Sequence, residues 1–318
     1  MLQVLSSKFV DTFKANKKIW LLLPFALFIL LLFVIPLIII LINAFQPVSD
    51  SGINGSIADN FKVVDGFVWE KIWKSLWISV VSTIISFVIA FPFCYLLSIS
   101  KSKVYKSSII LFATAPIWSS LLIKLVGLKS LFDLIATSAA GSLTINSTYG
   151  DGYTIIGICY VYIPFLILPL YSVLINMPKN YLLASQDLGR NHFASIFLIV
   201  IPYCKTAIAS GITLVLLPAF TTVAIPQFLN NNNNSSLIGD YIFNLGSNAL
   251  ESKVAIAQAS ALSLVLGLLI LLVYIFWKLT PKVVRFLKNK NAWNILSKKF
   301  NVLFNLFKKP NNLKNKEQ

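Results

Sequence analysis

Long apolar runs alternate with short polar intervals along this chain, and the runs are long enough to cross a bilayer as helices. Six spans are predicted, at about residues 19–44, 72–99, 107–126, 153–176, 193–220 and 254–277. The first run is too long for a signal peptide and no small-x-small cleavage site follows it, so it is predicted to stay as an anchor. Each end of the chain carries a basic amphipathic pattern. Leu2, Leu5, Phe9 and Phe13 recur at three- and four-residue steps among Lys8, Lys14, Lys17 and Lys18. Trp293, Leu296, Phe300, Leu303 and Phe307 do the same near the other end. Both patterns predict helices lying on a membrane surface, with a solvated tail over the last ten residues.

Charge orients the spans. The interval after the second span carries Lys101, Lys103 and Lys106 with no acid, and residues 278–318 hold eleven Lys or Arg and one acid, Glu317. Acids gather in the other intervals: Asp50, Asp59, Asp65 and Glu70 against Lys62, then Asp133 and Asp151 against Lys129, then Asp240 and Glu251. The positive-inside rule therefore puts both termini in the cytoplasm of a multi-pass protein of the cell membrane. The fold class is an all-α integral membrane protein of six transmembrane helices, with a cytoplasmic helix and basic amphipathic termini. Its expected segments are residues 1–18 (amphipathic helix), 19–71 (first span and external loop), 72–280 (a five-helix core) and 281–318 (basic tail).

Composition agrees with that class: 57% of the 318 residues are hydrophobic and 12% charged, against about 25% charged in an ordinary soluble domain. The net charge of +16 lies mostly in termini and short loops, which implies orientation and lipid contact rather than nucleic acid. Cys94, Cys159 and Cys204 fall in or beside apolar spans far apart in sequence, a pattern of neither a disulfide framework nor a metal site, and His192 has no ligand partner nearby in sequence. The chain contains no G-x-x-x-x-G-K-[ST] loop, no H-E-x-x-H and no G-x-S-x-G. No enzymatic activity and no cofactor are expected, and the scarcity of charge within the spans argues against a proton relay.

Trp69, Trp73 and Trp77 recur every fourth residue at the start of the second span, as an interface belt does, with a ligand contact as the alternative. Pro164 and Pro169 fall inside the fourth span and Pro202 and Pro218 inside the fifth, where they predict kinks. The run Asn230 to Asn234 is low in complexity and is assigned no structure.

The most informative polar stretch is Leu183-Ala184-Ser185-Gln186-Asp187-Leu188-Gly189. Pro178 can open a short helix there. Tyr181, Leu182, Ser185 and Leu188 give it a mostly apolar face, and Gly189 can take the left-handed conformation that ends it. Taken alone, the stretch is also consistent with an ordinary amphipathic loop helix. With Ile199 and Pro202 it resembles the cytoplasmic signature loop of ABC-importer permeases: Glu-Ala-Ala, three residues, Gly, nine residues, Ile, one residue, Leu-Pro. Ala184, Gly189, Ile199 and Pro202 match, Ser185 stands for the second Ala, Ile201 for the Leu, and Leu183 replaces the Glu.

The likeness continues elsewhere. Ala115-Pro116-Ile117-Trp118 through Lys124 and Gly127-Leu128 resembles the third span of spermidine/putrescine importer permeases. Residues 160–165 with 169–172 resemble the fourth span, and residues 214–219 continue the match. The resemblance spans about residues 19–280. It implies a permease that pairs with a second, homologous permease, with ABC ATPase subunits and with an external substrate-binding protein. ATP hydrolysis in the partners would drive polyamine inward. It also implies that Ala184, Ser185, Asp187, Leu188, Gly189 and Arg190 form the helix that docks on the ATPase. Trp118, Tyr160, Tyr162 and Tyr171 are candidate pathway residues, since aromatic faces attract cations, with helix packing or lipid contact as their alternative role. Gln227 stands where that family often carries an acid just after span five. Its neutrality leaves other importer substrates open, among them molybdate, iron or thiamine, and a stand-alone channel is the alternative from a different class.

Overall fold

The computed structural model describes residues 22–48, 56–140, 150–178, 180–229, 237–247 and 252–288. The two predicted surface helices, apart from the start of the tail, and the Asn230–Asn234 run lie outside these residues. Every element among the described residues is helical. In chain order they are α1 (Leu23–Phe45), α2 (Ile57–Phe61), α3 (Gly66–Ile99), α4 (Lys103–Thr114) with a 3-10 turn at Ala115–Trp118, α5 (Leu121–Ala140), α6 (Asp151–Leu174), α7 (Asn180–Asp187), α8 (His192–Tyr203), α9 (Lys205–Phe220), α10 (Ala224–Leu229), α11 (Ile238–Ser247) and α12 (Lys253–Lys288).

Four of the described helices are long and apolar enough to cross a membrane outright, and six spans result when each of two bent pairs counts as one. The bends are where the structure departs from the hydropathy pattern. The predicted third span breaks at Ser119 and Ser120, and α5 leaves α4 at 101°. The chain stays helical through Ala140, past residue 126 where the third span was predicted to end. The fifth span turns by 74° at Cys204, between α8 and α9. Proline explains the local distortions. A proline donates no N–H and crowds the carbonyl four residues earlier. A π-helical turn at Leu30–Val34 precedes Pro36, and another at Ile196–Val200 precedes Pro202.

The chain forms two compact units, residues 1–41 with 261–318, and 42–260. The first unit contains most of α1, whose apolar side chains are exposed, and most of α12. The second unit is built on α3, α6 and α9, which pack against one another. Ser75, Ser79, Ser82 and Ser86 form a buried stripe of small residues along α3, which lets a neighbouring backbone approach closely. The Ser79 and Ser82 hydroxyls turn back to their own helix, Ser82 Oγ donating to the Ile78 carbonyl at 2.7 Å. The Cys159 thiol of α6 reaches the Ser82 carbonyl at 3.3 Å. One apolar cluster joins Phe91 and Tyr95 of α3 to Leu166 and Leu170 of α6 and to Val200 and Cys204. Another joins Ile78 of α3 to Leu125 of α5, Ile158 of α6 and Ile225 of α10.

At 34 residues α3 begins six residues before the predicted second span, and its length is about 51 Å. It exceeds the ~30 Å apolar thickness of a bilayer, so both of its ends carry polar elements. At its start, α11 docks: the buried Ile238 N–H donates to Ser75 Oγ at 2.8 Å. Gly239 lets α11 also sit against the end of α9, since a Cβ there would lie 2.4 Å from the Thr221 carbonyl oxygen. At its far end lie α7 and the start of α8.

Candidate functional site

The helix α7 is eight residues long and ends on a glycine stop. Gly189 has φ +77°, the one positive φ among the described residues. Its N–H donates to the Gln186 carbonyl at 2.8 Å, and the Arg190 N–H to the Ser185 carbonyl at 3.2 Å. Together these bonds make a Schellman motif, which satisfies two carbonyls that the helix end leaves open. Nothing lies within 4 Å of where a Gly189 Cβ would stand, so backbone conformation alone selects glycine here.

Beyond the glycine the chain doubles back into α8, and two contacts lock the return. Ser185 Oγ lies 2.8 Å from Ser195 Oγ, with both side chains buried. Ser195 gives its own proton to the Asn191 carbonyl at 3.1 Å, so Ser185 is the donor in the pair. His192 then links α7 to α3. Its Nε2 lies 3.3 Å from Tyr95 Oη, and its Nδ1 lies 3.4 Å from the Gln186 amide nitrogen. A neutral imidazole with its proton on Nε2 satisfies both, with Gln186 donating to Nδ1.

The predicted docking residues therefore divide. Leu188 is 82% exposed, and Asp187 and Arg190 are exposed beside it. Ser185, at 2% exposed, faces inward and holds the turn from within. Leu182 packs on the apolar cluster of α3 and α6. Leu188 leaves the predicted apolar face because α7 ends at Asp187 and the turn has begun. Leu183 lines a cavity of about 340 Å³ together with Lys101, Lys106 and His192. No carboxylate is among its lining residues, so the Leu in place of Glu leaves those lysines without an acid there.

The predicted pathway residues stand in different settings. Trp118 is 74% exposed at the 3-10 turn, and Tyr160 is exposed on α6. Tyr162 is half-buried between the two apolar clusters, and Tyr171 packs on the first of them. Gln227 has the most specific setting: its amide donates to the Asp240 carboxylate at 2.7 Å. The sequence reading missed Asp240 as a partner because the Asn run separates the two positions. It missed His192 because Tyr95 lies 97 positions away.

The chain as a whole is similar to known proteins. The chain is 44% identical to the "Spermidine/putrescine transport system permease protein PotB homolog" of Mycoplasma genitalium, over 86% of this chain and 96% of that protein. The homologue from Mycoplasma pneumoniae is 45% identical over 87% of this chain and 96% of its own length. The chain belongs to the PotB permease family. The PotB protein of Escherichia coli is 28% identical over 59% of this chain and 69% of its own length. A crystal structure of a bacterial ABC transporter involved in import of the acidic polysaccharide alginate shares the fold, with TM-score 0.59 and 14% identity over 87% of this chain and 97% of that one. No protein-family model matches the chain. As a PotB-family permease, the chain is a multi-pass membrane transport subunit and not an enzyme.

Proposed function

We propose that this chain is one permease subunit of an ABC importer that carries spermidine or putrescine inward across the plasma membrane. A second permease, two ATPase subunits and an external substrate-binding protein complete the machine, and both termini and α7 face the cytoplasm. The observation that carries this reading is the α7–Gly189–α8 element. It is a short helix that exposes Asp187, Leu188 and Arg190 on one side and is fastened to the core on the other. A partner that pushes on the exposed face moves α8 through the Ser185–Ser195 bond and α3 through His192 and Tyr95. Because α3 and α6 share an apolar cluster with α8, a displacement at α7 reaches the spans as a rigid shift. Packed interfaces change by discrete repacking rather than by smooth deformation.

Crosslinking tests the docking surface. The three native cysteines are buried, so Leu188→Cys supplies a selectively reactive thiol. Leu188→Cys is expected to crosslink to an ATPase subunit in membranes, and Ser185→Cys is not. A Leu188→Cys permease that crosslinks to nothing, with the ATPase present, rules out α7 as the docking helix.

A further inference from the structure

At the opposite end of α3 from the docking element, a buried ammonium sits in an aromatic and acidic setting. Lys71 is 4% exposed. Its Nζ lies 4.5 Å from the centroid of the Phe67 ring and 5.7 Å from that of Tyr241. The two rings meet edge to face, with centroids 5.9 Å apart and planes at 76°. Asp240 precedes Tyr241 on α11, is 7% exposed, and attracts Lys71 electrostatically. Its Oδ1 is held by two neutral amides, Gln227 Nε2 at 2.7 Å and Asn244 Nδ2 at 3.4 Å. Glu70 also attracts Lys71, and Asp65 acts on Tyr241, so two further carboxylates border the site. Burial and the neighbouring cation Lys74, itself paired with Asp151 at 3.0 Å, oppose the charge on Lys71 more than Asp240 and Glu70 favour it, so the ammonium is held in place under strain.

A lysine side chain is a primary ammonium on a four-carbon chain. Putrescine and the longer arm of spermidine end in the same group. Aromatic faces with a nearby carboxylate are what such an ammonium selects when it leaves water. Phe67 is 51% exposed, so the outer wall of the site is open to an arriving ligand. Nor does α11 depend on the attraction between Lys71 and Asp240 for its seat. The Ile238–Ser75 bond ties α11 to α3, and Gly239 seats it on the Thr221 carbonyl at the end of α9. Twenty-four positions separate Lys71 from Tyr95 on α3, about 36 Å of helix, so this site lies a membrane thickness from the docking element.

We infer that Phe67, Tyr241 and Asp240 form a binding site for one primary ammonium of the polyamine, which Lys71 occupies as a tethered aminobutyl group until substrate displaces it. This rests on the polyamine reading above and gives the Gln227 position a new meaning. Gln227 orients the Asp240 carboxylate through its 2.7 Å bond.

The test is ATP hydrolysis by the reconstituted complete transporter, titrated with spermidine alone and then with spermidine-loaded binding protein. Lys71→Met keeps the alkyl chain and removes the competing cation. It is expected to lower the half-saturating spermidine concentration by about tenfold, and Lys71→Met with Asp240→Asn to raise it above wild type. Phe67→Leu, at a half-exposed position, is expected to raise it by about threefold with thermal stability unchanged. If Lys71→Met weakens the spermidine response and the double variant recovers it, Lys71 and Asp240 are a structural clip and the inference is overturned. Should Lys71→Met fail to assemble, Phe67→Leu decides, and an unchanged response there overturns the inference. A wild-type transporter that ignores spermidine-loaded binding protein overturns the polyamine reading itself. A wild-type response with Lys71→Met unchanged overturns only the ammonium site.

Discussion

Ser185 donates a hydrogen bond to Ser195, Oγ to Oγ at 2.8 Å, across the glycine turn that separates α7 from α8. Both groups are buried, so each hydroxyl loses water as well as its partner when the other is removed. Such a loss costs about 1–3 kcal/mol, while removing both together costs far less. Ser185→Ala and Ser195→Ala are each expected to lower thermal stability and uptake, and the double variant to fall short of the sum of the two. A double-mutant cycle on the purified permease measures this coupling. Additive single effects would show that the two hydroxyls act independently.

Gly189 is fixed by conformation rather than by space. A β-branched residue in the left-handed region costs about 1–2 kcal/mol, and the Schellman bonds to Gln186 and Ser185 depend on that region. Gly189→Val and Gly189→Pro are expected to abolish uptake while the protein still inserts, as membrane-fraction immunoblots and transport assays would record. Gly189→Asn, which tolerates positive φ, is expected to retain a substantial part of uptake. Equal damage from Asn and Val would mean that something other than backbone conformation is at stake.

How far the sequence foretells this molecule depends on the distance between partners. The apolar runs are legible because hydropathy accumulates over about twenty residues. The glycine stop after α7 is legible because left-handed backbone favours glycine. The bend at Cys204 is legible only as a kink near Pro202, and the bend at Ser119–Ser120 is not legible, since it falls inside an apolar run and leaves the hydropathy unchanged. Nor is the start of α3 at Gly66, which the Asp65 carboxylate caps by accepting from the Val68 N–H at 2.9 Å. The family resemblance pointed to the surface of α7 without foretelling that Ser185 faces inward. That orientation comes from Ser195, ten positions away across the turn. The Lys71 site joins α3 to α11, and no local pattern links positions so distant.

The short helix α2 gives a pH dependence. It opens on a capping box in which the Ser56 N–H donates to Asp59 at 3.0 Å and the Ala58 N–H to Ser56 Oγ at 3.3 Å. The bond to the Lys62 side chain, then the Ser56 N–H, then the attraction of Lys62 hold the Asp59 carboxyl below its ordinary value of 3.8. A depressed folded value means that the charged box stabilises α2 above the unfolded value and is lost as pH falls through the folded one. Downstream, Asn60 donates to the Ala44 carbonyl at 3.0 Å and the Gln46 carbonyl at 2.9 Å, tying α2 to the end of α1. Hydrogen-exchange protection of α2, taken relative to the intrinsic rate at each pH, is therefore expected to fall in the wild type as the pH drops below 3.8 and through the lowered value of Asp59. Asp59→Asn should be less protected already at neutral pH, with little further change in protection on acidification. A variant as protected as wild type at neutral pH would remove the capping box from the explanation.

Copurification of the tagged permease from mild detergent, followed by ATP hydrolysis with spermidine-loaded binding protein, tests the importer assignment most directly. The expected result is an ATPase subunit that copurifies and hydrolyses ATP at least about tenfold faster with loaded than with empty binding protein, equivalent to about 1.4 kcal/mol of barrier. A permease that inserts normally yet retains no ATPase, even when crosslinked through Leu188→Cys, contradicts it.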